Sequence, residues 1–156
     1  MNLLPYSPKN NDEIKQLFIK VFSDSEGKSE GLLIGNLVSD LMTITEVQDI
    51  YGFIAIESEQ IIGSIFFTRL TFQNRVNAFL LSPVAVHTSY QGKGFGQKLI
   101  NFGIKYLREN GVNVVFTYGD PNFYSKVGFK PITEEIAKAP FKLTQPEGWL
   151  GQSLLN

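Results

Sequence analysis

No cysteine occurs anywhere in the sequence. That one absence excludes disulfides, thiolate-bound metals and a cysteine nucleophile, and it suits a reducing cytoplasm. Histidine is almost as scarce: His87 stands alone, too few for a histidine-built metal site, so no metal is expected. Neither sign of charge dominates, with 14 basic against 15 acidic residues and a formal net charge of −1. A basic surface for nucleic acid and an acidic tail are both lacking. No apolar run approaches the roughly 18 residues that span a bilayer, so no membrane partner is expected. The start, Met1-Asn2-Leu3-Leu4-Pro5, has no basic segment ahead of an apolar one and does not read as a signal peptide. Repeats, low-complexity tracts and Pro/Gly/Ser linkers are missing too. Residues 1–156 are therefore expected to form one domain.

What the chain does have is material for a core. It is 43% hydrophobic, 13% aromatic and only 19% charged, which argues against disorder. Leu3 to Tyr6 reads as a short edge strand. Asn10 or Asn11 is placed to cap a helix ending near Phe22, with Ile14, Leu17, Phe18 and Val21 on one face. Ser23 to Gly27 reads as a loop. A second helix is expected from about Glu30 to Leu41, its stripe formed by Leu33, Ile34, Leu37, Val38 and Leu41. Strands then follow over 51–57, 61–72 and 78–86, joined by turns too short for anything but antiparallel pairing.

After residue 90 the pattern changes. A glycine-rich stretch leads into a helix that ends near Asn110 at Gly111, with Phe95, Leu99, Phe102, Tyr106 and Leu107 as its expected buried stripe. Gly103 would let that helix lie close on the sheet. Residues 112–117, Val-Asn-Val-Val-Phe-Thr, read as a strand covered on both faces. The strand at 78–86, this helix and the strand at 112–117 form a βαβ unit with parallel strands. A meander feeding one crossover is a mixed, mostly antiparallel α/β sheet.

The most informative segment is Gln91-Gly92-Lys93-Gly94-Phe95-Gly96. Glycines at every second position let backbone N–H groups point inward. They stand at a helix start, where free N–H groups and the helix dipole favour an anion. A phosphate or pyrophosphate is the natural ligand, although the same glycines could simply turn a strand into a helix. The spacing is not that of a P-loop, and Gln97 stands where a dinucleotide fingerprint needs its third glycine.

Gln91 to Gly96 resembles the Q/R-x-x-G-x-G/A motif of the GNAT family of N-acetyltransferases, preceded as it should be by Val84-Ala85-Val86 on a strand. Phe123-Tyr124-Ser125-Lys126-Val127-Gly128-Phe129 is similar to the family's later F-Y-x-x-x-G-F segment. Gly119-Asp120-Pro121, Glu30-Gly31-Leu32-Leu33 and Pro146-Glu147-Gly148-Trp149 resemble the family's YhbS-like subgroup. The likeness runs in element order from about residue 10 to 132.

The resemblance implies the GNAT fold with splayed central parallel strands, and acetyl-CoA as co-substrate. Val84, Ala85 and Val86 would pair by their backbone with the pantetheine arm. Gln91, Gly92, Lys93, Gly94, Phe95 and Gly96 would hold the pyrophosphate. Tyr124 would face the cofactor sulfur and act as general acid. Pro83 departs from many relatives and offers no N–H, so Val84 N–H is the expected oxyanion donor. His87 is expected to launch the loop, and Asp120 and Asn122 to cap a short helix, with Asp120 also a candidate proton relay. No carboxylate lies on the strand at 78–86 where many relatives carry one, leaving Glu30, Asp49 and Glu57 as unranked bases.

The implied activity is acetyl transfer from acetyl-CoA to a primary amine by direct attack in a ternary complex. The absent carboxylate and Pro83 leave open a non-catalytic acyl-CoA-binding or regulatory module. The acceptor would be held by the first two helices, the loop Thr43 to Asp49 and the C-terminal stretch. That stretch would add a strand and an aromatic wall, and Phe141 and Trp149 make a homodimer contact plausible.

Overall fold

The central stretch leaves the chain no room to cross over. In the computed structural model, which describes residues 1–155, β2 (Ile50–Glu57), β3 (Gln60–Leu70) and β4 (Ala78–Val86) form an antiparallel meander. Ser58 and Glu59, at φ 50° and 65°, make the two-residue turn whose twist suits a hairpin. The opening strand β1 (Asn2–Pro5) pairs with β2 at the sheet edge, where Pro5 needs no ladder partner on its free side. A crossover helix, α3 (Phe95–Glu109), returns the chain to β5 (Val114–Tyr118), which runs parallel to β4. The sheet has seven strands in the order β1-β2-β3-β4-β5-β7-β6, with β6 at Lys130–Pro131 and β7 at Trp149–Ser153.

Side-chain alternation divides the core between the two faces. Phe53, Phe67, Phe79, Leu81 and Val115 face α3, which buries Leu99, Ile100, Ile104 and Leu107 against them. Each such side chain contributes about 1.5–3 kcal/mol. The opposite face carries Ile54 and Phe66 beneath Ile14, Leu17, Phe18 and Val21 of α1 (Asn11–Glu26). Those four are the residues the periodicity selects. Farther along that face, Trp149 lies flat on Phe116, with centroids 5.4 Å apart, and donates its Nε1–H to the Ala137 carbonyl at 2.8 Å.

Several boundaries differ from the sequence expectation. Ser23 to Glu26 is helical, and only Gly27 at φ 100° separates α1 from α2 (Lys28–Ile44). Asp24 explains the persistence: its Oδ2 accepts from Lys20 one turn back and from Thr88 across the fold, both at 2.7 Å. Asn10 does not cap α1 by its side chain, because its Oδ1 accepts from Ser7 N–H instead. In α2 the buried face is Gly31, Gly35 and Val38, which lets the helix lie tight against α1. Leu33 and Leu37 consequently stay 64% and 48% exposed. On α3 the buried stripe runs through Gly96, Ile100, Gly103 and Ile104 as well as Leu99 and Leu107. Phe95 and Phe102 flank it half-buried, and Tyr106 is 37% exposed with its ring packed against Tyr51 and Phe53. Trp149 has no exposed surface, so it cannot serve as a contact between copies of the chain. Phe141 packs on both Tyr118 and Trp149, but it borders a separate hollow with Glu134, Lys138 and Leu143 instead of walling an acceptor site as expected. None of the described helices is long and apolar enough to cross a membrane.

Gly103 is the point of closest approach between α3 and the sheet. A Cβ built there would stand 2.8 Å from Phe67 Cε1 and 3.0 Å from Phe53 Cδ2. Overpacking of this kind costs about 1–3 kcal/mol. Gly103→Val is therefore expected to lower the unfolding free energy by that amount in a urea titration, with an unchanged m-value. A variant as stable as the parent would show that α3 can lift off the sheet at no cost.

Candidate active site

Two neighbouring strands part company in the middle of the sheet. β5 pairs with β4 only from Ala78↔Val114 to Leu81↔Thr117. Beyond that point β4 continues against β3, with Val84↔Ile65, Ala85↔Ser64 and Val86↔Gly63, while β5 is held on its other side by β7. The parting comes at Ser82-Pro83, and Pro83 has no N–H to offer a ladder. Beyond it, His87 N–H donates to the Ile62 carbonyl of β3 at 2.7 Å. Backbone polar groups alternate sides along a strand, so those of Val84 and Val86 turn the other way, toward the gap. The Val86 carbonyl is already used, accepting from Gln91 Nε2 at 2.9 Å. Val84 N–H is left facing the opening.

A cleft of about 510 Å³ begins at this gap and runs to the glycine loop. Its walls include Val84 and Val86, Gly92, Gly94 and Gly96 at the start of α3, Phe123, and Val21, Phe22 and Ser25 from the last turns of α1. Gly92 and Gly94 take φ of 76° and 83°, conformations that other L-residues adopt only with strain. The loop thus wraps the N-terminus of a 15-residue helix, where unpaired N–H groups and the dipole attract an anion. Among the described residues no carboxylate lines this cleft, while Lys126 does. Asp24 stands just outside, its carboxyl held below the usual range by Lys20 and then Thr88, and it ties α1 to the turn that precedes the loop.

A second, smaller cleft of about 250 Å³ adjoins the first. Phe22 and Val84 line both. The smaller one adds Ile34, Leu81, Ser82, Pro83, Thr117, Tyr118 and Tyr124. Tyr124 ends α4 (Pro121–Tyr124), a single turn capped by Asp120, whose Oδ1 accepts from Asn122 N–H at 2.9 Å. The Tyr124 ring lies over Gly119, where any Cβ would come within 2.6 Å of it, and packs edge-on to Phe123 and Phe129. Burial pushes the phenol above its ordinary pKa, and the Thr117 hydroxyl beside it acts in the opposite direction. At neutral pH Tyr124 is a protonated donor.

The sequence-selected residues do not all meet here. Val84, Val86, Gln91, Gly92, Gly94, Phe95 and Gly96 line the larger cleft and Tyr124 the smaller. Ala85 instead turns its side chain into the α1 core. Lys93 is not a cleft residue: its Nζ lies 5.7 Å above the Tyr90 ring. His87 launches the loop as expected, its Nδ1 accepting from Ser89 N–H. Of the candidate bases, Asp49 is bound to Arg69 at 2.7 Å toward the other end of the sheet, Glu57 pairs with the Met1 amine, and Glu30 is exposed on α2. None of the three lines either cleft. The loop Thr43 to Asp49 borders a different hollow beside Tyr51 and Tyr106. Phe22, Ser25, Ile34, Phe123 and Lys126 were not assigned to a site from the sequence. Phe123 carried a signal as the first fixed residue of the F-Y-x-x-x-G-F segment, and Phe22 and Ile34 lie on the two helices expected to hold the acceptor, whereas Lys126 occupies an unspecified position of that segment.

A parted parallel pair, a glycine loop at a helix start and a half-buried phenol thus surround two adjoining clefts, the larger with an open strand edge and an end that favours anions. A family model described as an acetyltransferase (GNAT) domain matches residues 48–131, from β2 through Tyr124 to β6. The Escherichia coli (strain K12) protein called uncharacterized N-acetyltransferase YjhQ is 32% identical over 125 residues, covering 76% of this chain and 69% of that one. A Brucella melitensis GNAT family acetyltransferase, solved in complex with acetyl-CoA, is similar at 27% identity and a TM-score of 0.74, covering 83% of this chain and 82% of that one. Escherichia coli YhbS, solved with CoA, shares the fold at 24% identity and a TM-score of 0.76, over 99% of this chain and 81% of that one. The chain belongs to the GNAT family of acetyltransferases.

The raised Tyr124 pKa has a thermodynamic consequence. A group whose pKa is higher in the folded state stabilises the fold below its unfolded pKa, here near 10.0, and that contribution is lost as pH rises through the folded value. Between pH 9 and 11 the parent is expected to lose more stability than Tyr124→Phe, as read by urea midpoints. Parallel losses would mean that the phenol is solvated.

Proposed function

We propose that the chain, acting as a single domain, transfers the acetyl group of acetyl-CoA to a primary amine while both substrates are bound. The observation that carries this reading is the open edge of β4 beyond Leu81, beside a cleft that ends at positive-φ glycines and the start of α3. The residues present fit such a ligand. A pantetheine arm carries amide groups that can pair with the free polar groups at Val84 as an added strand would. A pyrophosphate suits the N–H groups of Gly92 to Gly96 and the Lys126 ammonium.

Acetyl-CoA supplies an acyl group on a thiol leaving group: the N–C bond forms as C–S breaks, and the proton lost by nitrogen balances the one gained by sulfur. Val84 N–H, fixed by the β3–β4 ladder, points to where charge develops on the carbonyl oxygen. The Tyr124 phenol, kept protonated by burial, donates toward the departing sulfur. No side chain of the smaller cleft is a carboxylate, so the acceptor proton passes to water. Holding both partners at the junction of the two clefts supplies the proximity term.

Tyr124→Phe keeps the ring and its packing while deleting the donor. It is expected to lower kcat by at least about tenfold and to leave CoA affinity unchanged by calorimetry. An unaltered kcat, once chemistry is shown to limit the rate, returns Tyr124 to a packing role. CoA binding without turnover on any amine would favour a non-catalytic module.

The two lysines near the loop separate a cleft charge from a surface one. Lys126→Ala should weaken CoA binding several-fold more than Lys93→Ala, because only Lys126 lines the cleft. Equal effects would place the anion outside it.

A further inference from the structure

The smaller cleft carries information about the acceptor, and the inference drawn from it rests on the acetyl-transfer reading above. Its walls are Phe22, Ile34, Leu81, Pro83 and Val84, with four hydroxyl side chains and no acidic or basic group among the described lining residues. Two of those hydroxyls are already committed. Thr117 Oγ1 donates to the Leu81 carbonyl at 2.9 Å, and Tyr118 Oη accepts from Gln145 N–H at 2.6 Å. The nearest carboxylate in sequence, Asp120, is held by the α4 cap. Nothing in the cleft can neutralise an ammonium.

The wall formed by Ile34 also continues outward. On the helical wheel of α2, Leu33, Leu37, Leu41 and Ile44 follow Ile34 on the side turned away from α1. Leu33, Leu37 and Ile44 are 64%, 48% and 72% exposed, and only Glu30 interrupts the stripe with a charge. An apolar surface thus runs from inside the cleft onto the open face of α2.

We propose that the acceptor is a small monoamine whose amino group sits on an apolar body, aryl or alkyl, leaning on Ile34 and Leu37. Burying an ammonium without a partner is costly, and an uncharged site favours the neutral amine, which is the form that attacks the thioester. A polyamine or aminosugar would bring further cations with nothing to meet them. An apolar body gains by covering the α2 stripe, at about 25 cal/mol per Å².

The test compares 2-phenylethylamine and hexylamine with spermidine, lysine and kanamycin. Turnover is followed by CoA release from acetyl-CoA, and binding by calorimetry on protein saturated with CoA. The apolar monoamines should exceed the others in kcat/KM by about tenfold or more, as expected where one partner leaves buried groups uncompensated. Leu37→Glu, an exposed position outside the CoA cleft, should raise the KM for 2-phenylethylamine by about tenfold without altering CoA affinity. Spermidine or kanamycin turning over as well as 2-phenylethylamine overturns the proposal while the acetyl-transfer reading stands. Failure of 2-phenylethylamine to bind the CoA-loaded protein also overturns it. A chain that binds no CoA overturns both.

Discussion

A β-strand that runs past its neighbour must do something with the backbone groups it exposes. Here β4 loses β5 after Leu81 and keeps β3 as far as Val86, and both clefts that Val84 lines open at that mismatch. Pro83 removes one donor at the point of parting, and the His87–Ile62 bond fixes which way the remaining groups turn. Val84 N–H is aimed into the gap by ladder geometry rather than by any side chain. The larger cleft is then the space left between the abandoned edge of β4, the start of α3 and the end of α1. The smaller one is the same gap seen from the side of β5 and Tyr124.

The two clefts share only Phe22 and Val84, and this narrows where chemistry can occur. A group held in the first and a group held in the second meet beside Val84, with Tyr124 on the opposing wall. The continuation of α1 through residues 23–26 adds Ser25 to the wall of the larger cleft beside Phe22. Asp24 anchors that last turn to Thr88. A charge-assisted surface hydrogen bond therefore ties the end of α1 to the turn before the glycine loop, contributing position more than stability.

Much of this was legible in the sequence where local rules act alone. Apolar period picked out the four buried residues of α1, connection length set the antiparallel meander, and Gly103 announced a close helix–sheet contact. The glycine loop was legible from its spacing, whereas Val84 and Tyr124 were implied by the resemblance to the GNAT family. What escaped depended on partners distant in the chain. Leu33 and Leu37 read as core because helical period cannot distinguish a face packed on α1 through glycines from a face left bare. Lys93 and Lys126 were told apart only by the packing of Tyr90. Trp149 looked like a surface for assembly until β7 was seen to lie between β5 and β6, with its indole beneath Phe141.

The absence of a carboxylate from the site shapes its electrostatics more than any residue present. Lys126 and the start of α3 leave the larger cleft biased toward anions, while the described lining of the smaller one is uncharged, made of apolar side chains and four hydroxyls. Such a division suits a reaction between a polyanionic donor and an uncharged nucleophile. On the proposed reading the anion would be held at its far end, where attraction costs the chemistry nothing. The reacting end sits where no fixed charge would hold an amine in its protonated, unreactive form. The Tyr124 phenol fits the same logic, since burial disfavours its charged form and keeps it a neutral donor at neutral pH. On the proposed reading, with no carboxylate among the described lining residues of either cleft, the acceptor amine would have to reach its neutral form without a side-chain base beside it.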